Sequence, residues 1–198
     1  MKKCGIIGLG NPGSHYAQTR HNIGFWILDE FAKQNELTFS RNDKFGADTC
    51  KYLHESSHQL LLIKPFTFMN NSGTLLPSLL KYSGFGESHI IVVHDELNLP
   101  LGVLKVSNAR GAGGHNGVKS IMTALNTPIT RVRIGIGGKH QQSQSLSSYV
   151  LSSFNQKESE ILNKRLPYFL HAILSIIETG VEKTMNIFNQ EKQIETTS

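Results

Sequence analysis

Five polar residues stand where a chain of alternating strands and helices places its chemistry: Asn11, His21, Asn70, Asp95 and Asn116. Each follows a predicted strand or opens a predicted helix, the positions from which α/β proteins build sites. A histidine paired with a carboxylate is an orientable base near neutral pH, and asparagine amides can bind peptide groups and orient water. No nucleophile of the chain's own fits better. There is no G-x-S-x-G elbow, and Cys4 and Cys50 lie in strand patterns away from any histidine-bearing loop. Water is therefore the expected attacker. Taken singly, each asparagine reads better as a helix cap or turn former, and Asp95 as a turn residue; the set is what points to a site.

Three other stretches imitate familiar motifs. GLGNPG at 8–13 follows an apolar run and has the form of a dinucleotide-binding turn. That reading needs a helix opening on the glycines and an acidic residue ending the next strand. Instead Asn11-Pro12-Gly13 is turn chemistry of type II, helical periodicity resumes only near Asn22, and Asp29 and Glu30 fall inside that helix. HESSH at 54–58 is formally H-E-x-x-H, but its flanks FGADTCKYL and QLLLIKP alternate like strands, so a hairpin connection is expected and not a zinc helix. GAGGHNGVKS at 111–120 approaches a P-loop, except that Val118 separates the last glycine from Lys119 and Ser120. It remains a glycine-rich loop feeding a helix N-terminus, whose amides can hold a phosphate or carbonyl oxygen. No other histidine and carboxylate cluster has ligand spacing, so neither metal nor nucleotide cofactor is expected.

The elements that must position these residues follow from periodicity. Apolar runs at 3–9, 45–53, 59–64, 90–94, 103–107 and 131–136 predict six strands. Helical patterns near 22–34, 71–83, 116–125, 156–179 and 181–189 lie between and after them, with Pro77 marking a kink or late start in the second. Mixed βαβ units and a hairpin predict a single-domain, three-layer α/β sandwich whose mixed, mostly parallel central sheet is flanked by helices. The domain is expected over 1–190, with 191–198 a flexible tail and KHQQSQSLSS at 139–148 a surface loop. The 198 residues suffice for one buried core, and 38% apolar against 18% charged residues indicates neither disorder nor a membrane span. MKKCGII reaches glycines before any signal-peptide core forms, so a cytoplasmic protein with two reduced thiols is expected. The net charge of +5 suits a polyanionic partner without requiring one.

The words IIGLGNPGSHYAQTRHNIG, KPFTFMNNSG, VVHDELNLPLG, GAGGHNGVKSI and RVRIGIG, in that order, closely resemble the bacterial peptidyl-tRNA hydrolase family. The resemblance runs from about residue 4 to 151. It implies hydrolysis of the ester joining a peptide, or an N-blocked amino acid, to the terminal ribose of tRNA, by a monomer needing no metal. It further implies His21 as general base for water and Asp95 as the partner holding its tautomer. Asn11 would contact the peptide, Tyr16 would border the tRNA end, and Phe68 and Asn70 would line the peptide and terminal-nucleotide side. Met69 reads as readily as packing. Asn116 would bind the terminal adenosine region or the water. His94 and His115 read as sheet-end and loop histidines and are left out of catalysis. A non-catalytic RNA-binding factor on the same fold is the alternative, against which the presence of both His21 and Asp95 argues.

Phosphate contacts would come from Arg131 and Arg133, on one face of a strand whose other face is Val132, Ile134 and Ile136, with Lys105 and Arg110 on the hairpin partner and its loop. Two departures from the family pattern stand out: Asn98 replaces a usual aspartate, and the loop after GIG offers only Lys139 and His140. The second weakens any tRNA clamp there.

Overall fold

The computed structural model describes residues 3–55, 58–85, 89–109, 111–125, 128–137 and 145–190. Seven strands form one sheet: β1 (Lys3–Gly8), β2 (Ser40–Asn42), β3 (Ala47–Leu53), β4 (Gln59–Pro65), β5 (Ile90–Glu96), β6 (Leu104–Ala109) and β7 (Ile129–Gly135). Their order is β2-β3-β4-β1-β5-β7-β6. The central strands β4, β1, β5 and β7 run parallel. Antiparallel neighbours, β3 and β2 at one edge and β6 at the other, complete the mixed sheet. Among the described residues, six α-helices accompany it: α1 (Ile23–Gln34), α2 (Leu76–Ser83), α3 (Asn116–Leu125), α4 (Leu146–Val150), α5 (Gln156–Thr179) and α6 (Val181–Phe188).

Parallel central strands are covered on both faces, which is why their sequences read as continuous apolar runs. Alternate residues serve opposite layers. Leu60 and Leu62 of β4, with Ile91 and Val93 of β5, pack beneath Phe31 of α1 and Phe169 and Ile173 of α5. Their neighbours Leu61, Ile63, Ile90 and Val92 pack against Leu79 and Leu80 of α2 and Val118 and Ile121 of α3. The result is the three-layer sandwich expected. Cys4 and Cys50 are free, buried thiols, and burial pushes the Cys4 thiol up to about 12.

The differences from expectation lie in short or polar segments. β2 is only Ser-Arg-Asn at an exposed edge, with no apolar alternation to announce it. Pro77 lies in the first turn of α2, which starts late at Leu76 after a 3₁₀ turn over Met69–Asn71. There its missing N–H costs nothing. The 139–148 stretch ends in helix rather than loop: the Ser145 side chain accepts the Ser148 N–H and caps α4. Residues 138–144 and 191–198, and with them Lys139, His140 and the tail, lie outside the described residues, as does Arg110. His54 and His58 flank the β3–β4 connection, where the His54 N–H donates to the His58 carbonyl at 2.9 Å. They serve a hairpin. Among the described residues, no helix is long and apolar enough to cross a membrane.

Candidate active site

The carboxyl ends of β1, β4 and β5 open into a cavity of about 790 Å³. This is where an open parallel sheet presents loops rather than helices. After β1 the chain turns at Asn11-Pro12-Gly13, with Gly13 at φ 99°, and runs through a short 3₁₀ turn, Ser14–Tyr16. A second 3₁₀ turn, Arg20–Asn22, leads into α1 ten residues after Gly13, too late for its amides to meet a phosphate held at GLGNPG. Gly8 and Gly10 serve packing: a Cβ on Gly8 would run into Gly24 O and one on Gly10 into the Phe25 ring, while one on Gly24 would run into Leu9 N and Val93 O, so α1 sits tight on β1 and β5.

That close seating places the 20–22 turn over the end of β5. His21 Nδ1 lies 2.8 Å from Asp95 Oδ1, across 74 positions of sequence. The same oxygen accepts from His115 Nε2 at 2.9 Å, so two N–H groups converge on one carboxylate oxygen. Asp95 is 3% exposed. Burial alone would raise its carboxyl, but the positive edges of the His115 and His21 rings, each donating an N–H, outweigh burial and hold it well below the usual carboxylate range. With Nδ1 engaged, His21 leaves Nε2 available on a ring that lines the cavity.

Asn11 is fixed with equal care. Its backbone N–H donates to Asn22 Oδ1 and its carbonyl accepts from Asn22 Nδ2, both at 2.9 Å. Its own Oδ1 accepts the Met69 N–H at 2.9 Å. A main-chain donor therefore decides the orientation of the Asn11 amide and leaves Nδ2 as the group it can offer. Met69 is buried, a packing residue as well as this donor. Tyr16 and Phe68 meet edge to face with centroids 6.4 Å apart, and Phe68 is 59% exposed. Asn70 and Asn116 also line the cavity, and neither amide is bonded to a described residue. Neither is a side-chain cap: Asn70 sits in the 3₁₀ turn before α2, and the capping acceptor of α3 is His115 Nδ1, which receives the N–H groups of Gly117 and Val118. The cavity is closed on its remaining side by Leu146, Ser147, Val150 and Leu151 in and after α4.

Two residues that the sequence reading did not assign to the site thus belong to it: Asn22, which holds Asn11, and His115, set aside there as a loop histidine. The adjacency of Asn22 to His21, and of His115 to Asn116, was the available signal. Sequence spacing offered no histidine and carboxylate cluster other than HESSH, but the fold assembles one from distant positions: His21, Asp95 and His115 offer ligand atoms within 4.8 Å of one another. A cation there would have to displace both N–H donors to Asp95.

The basic residues separate into two kinds. Arg131 is 6% exposed and cannot present itself to phosphate as expected. Its Nε–H donates to His94 Nε2 at 2.9 Å and its Nη1 to the Gly111 carbonyl at 2.9 Å. The face it shares with Arg133 is roofed by the glycine-rich loop, and Arg131 ties that loop to β5 and β7. His94, itself fully buried, donates from Nδ1 to the Asp95 carbonyl at 2.6 Å, and burial keeps it neutral, well below its usual range. Arg133 pairs with Glu96 Oε2 at 2.9 Å yet keeps a quarter of its side chain exposed. It lies directly across from exposed Lys105 on β6, so both side chains leave the same face.

A family model described as Peptidyl-tRNA hydrolase matches residues 5–196. A peptidyl-tRNA hydrolase from Thermotoga maritima is 40% identical over 185 residues, covering 93% of this chain and 96% of its own. One from Sulfurihydrogenibium sp. is 38% identical over 187 residues, with coverage of 93% and 96%. Among solved structures, the crystal structure of peptidyl-tRNA hydrolase from Acinetobacter baumannii superposes with a TM-score of 0.85 at 32% identity, covering 96% of this chain and 95% of that one. A peptidyl-tRNA hydrolase in complex with N-propanol gives 0.86, with 32% identity and 96% coverage of both chains. Sequence words, sheet order and near-complete matches agree: this chain belongs to the peptidyl-tRNA hydrolase family.

Proposed function

We propose that the chain carries out its family's cleavage of peptidyl-tRNA by base catalysis on water, with His21 as the base and Asp95 as its partner. The observation that carries this reading is the 2.8 Å contact of His21 Nδ1 with Asp95 Oδ1, which reserves Nε2 for the cavity. Nε2 takes a proton as the water oxygen attacks the ester carbonyl carbon. The tetrahedral intermediate collapses with breakage of the bond to the ribose oxygen, which receives that proton back. Asp95 stabilises the imidazolium formed between these two transfers. Asn11, offering Nδ2, suits a peptide carbonyl of the blocked substrate. Asn70 and Asn116 suit the terminal nucleotide and the water, while half-buried Tyr16 and exposed Phe68 provide rings on which a base can stack. A substrate released by translation supports a cytoplasmic location.

The test is to incubate purified protein, after exhaustive chelation, with N-acetylaminoacyl-tRNA and with free aminoacyl-tRNA. Only the blocked substrate is expected to release its acyl group, at a rate unaffected by chelator. Loss of activity restored by zinc would replace the base mechanism with a metal one. Cleavage of neither substrate, with tRNA still bound, would leave a non-catalytic RNA-binding factor.

Arg133 and Lys105 are proposed as the phosphate contacts, and Arg131 is removed from that role. Arg133→Ala should lower stability less than loss of Arg131 does, since Glu96 keeps Arg131 at 3.6 Å, and it should weaken tRNA binding and lower the slope of log K against log salt by about 1, while sparing a small substrate that carries only the terminal nucleotide. Arg131→Met should instead lower stability by about 2–4 kcal/mol, since His94 Nε2 and the Gly111 carbonyl lose their buried donor. Thermal unfolding and salt-dependent binding of the two variants separate the roles. Equal loss on large and small substrates in Arg133→Ala would place that residue in the fold or the catalytic centre.

A further inference from the structure

We infer that His115 is a positioning residue for this reaction, fixed by α3 as the neutral tautomer protonated on Nε2, which restrains Asp95 and shares its carboxylate oxygen with His21. This rests on the reading of Asp95 as the partner of His21. The assignment begins with main-chain donors, whose hydrogens cannot be anywhere else. The N–H groups of Gly117 and Val118 point at His115 Nδ1 from 3.2 and 3.3 Å. A nitrogen accepting from them carries no proton of its own, so the ring's proton sits on Nε2, 2.9 Å from Asp95 Oδ1. His21 meets the same oxygen through Nδ1. Two histidines in opposite tautomers thus flank one carboxylate, their centroids 4.9 Å apart.

The difference in tautomer divides the work. His21 keeps Nε2 as an acceptor in the cavity, whereas both His115 nitrogens are engaged, so His115 cannot be the base. The titratable and charged groups around the pair are His21 from the 20–22 turn, His94 and Glu96 from β5, and Arg131 from β7. His94 is neutral, and Glu96 is shared by Arg131 at 3.6 Å and by Arg133, also from β7, at 2.9 Å. The His115 N–H draws charge from the oxygen that His21 also uses, so it tempers how strongly Asp95 holds the imidazolium. It also couples α3, and with it Asn116, to the base.

Two measurements test this. In long-range proton–nitrogen correlation spectra of histidine-labelled protein at neutral pH, His115 should show a bare Nδ1 and a protonated Nε2, and His21 the reverse. A protonated Nδ1 on His115 overturns the inference. The second uses His115→Asn, which keeps a capping oxygen for α3 but is too short to reach Asp95. Its thermal stability should stay near wild type. Its single-turnover rate at the pH plateau should fall about tenfold, because a charged group loses one of its two donors. The rise of rate with pH should move upward by about half a unit to one unit, because Asp95 then serves His21 alone. A variant with the wild-type plateau and the wild-type rise would make His115 a helix cap only. Should the variant not fold, the spectrum of the wild-type protein decides. That spectrum does not depend on activity, so an Nδ1-protonated His115 in a protein that still needs His21 overturns this inference alone.

Discussion

His21→Ala is expected to slow the chemical step by about 100-fold or more, the usual contribution of a positioned general base. Folding and tRNA affinity should hardly change, because the ring lies at the cavity wall above the end of β5, outside both apolar clusters. Only the proton acceptor is removed. Water in the same cavity, still oriented by the asparagines, would then attack without assistance. The measurement is a single-turnover rate on N-acetylaminoacyl-tRNA with enzyme in excess, so that product release does not mask chemistry, alongside thermal unfolding and tRNA binding. A variant that retains most of the rate, or loses rate only in proportion to lost binding, would remove His21 from the chemistry.

Asp95→Asn should act on the same step at lower cost, roughly 10- to 100-fold, since the base survives while its orientation and the stabilisation of its charged form suffer. The pH dependence carries the sign. The Asp95 carboxyl titrates well below the usual range, so Asp95 is ionised throughout the working range and cannot be the group whose protonation shuts the enzyme off. A loss of rate toward acid therefore reports the imidazole, and the wild-type rate should rise with pH as that ring becomes neutral. Without the anion, the imidazolium is less favoured, and the rise in Asp95→Asn should move to lower pH. The two losses should also be far from multiplicative in the double variant, because both disable one unit. Fully multiplicative losses, or an acid limb that stays put in Asp95→Asn, would show that the two residues do not act as base and partner.

Much of this molecule is legible in its sequence because the information is local. IIVVHD and QLLLIKP announce strands buried on both faces, and the resumption of helical periodicity at Asn22 excludes a dinucleotide turn at GLGNPG before any contact is known. Pro77 marks the late start of α2 by its own geometry. His21 and Asp95 are legible through chemistry: a histidine and a carboxylate at element ends, in a chain with no better nucleophile. β2 was not legible, since three polar edge residues earn their strand only by pairing with β3.

Periodicity says that a face is covered; it does not say by what. Arg131 and Arg133 share a face and differ by one pleat, and the sequence treats them alike. The glycine-rich loop folds over the first, so its charge is used inside the protein, while the second reaches an edge beside Lys105. His115 lies 20 positions from Asp95 and His21 lies 74 positions from it, and no spacing rule relates the three. They meet because β1 and β5 are parallel neighbours, Gly24 lets α1 close onto both, and α3 begins where its first amides can hold a histidine ring. The clamp of Asn22 on Asn11 arises in the same way, from a loop whose two ends are brought together by the sheet. The sequence determines which groups can do the chemistry. Strand order, a property of non-local pairing, decides which of them share an oxygen.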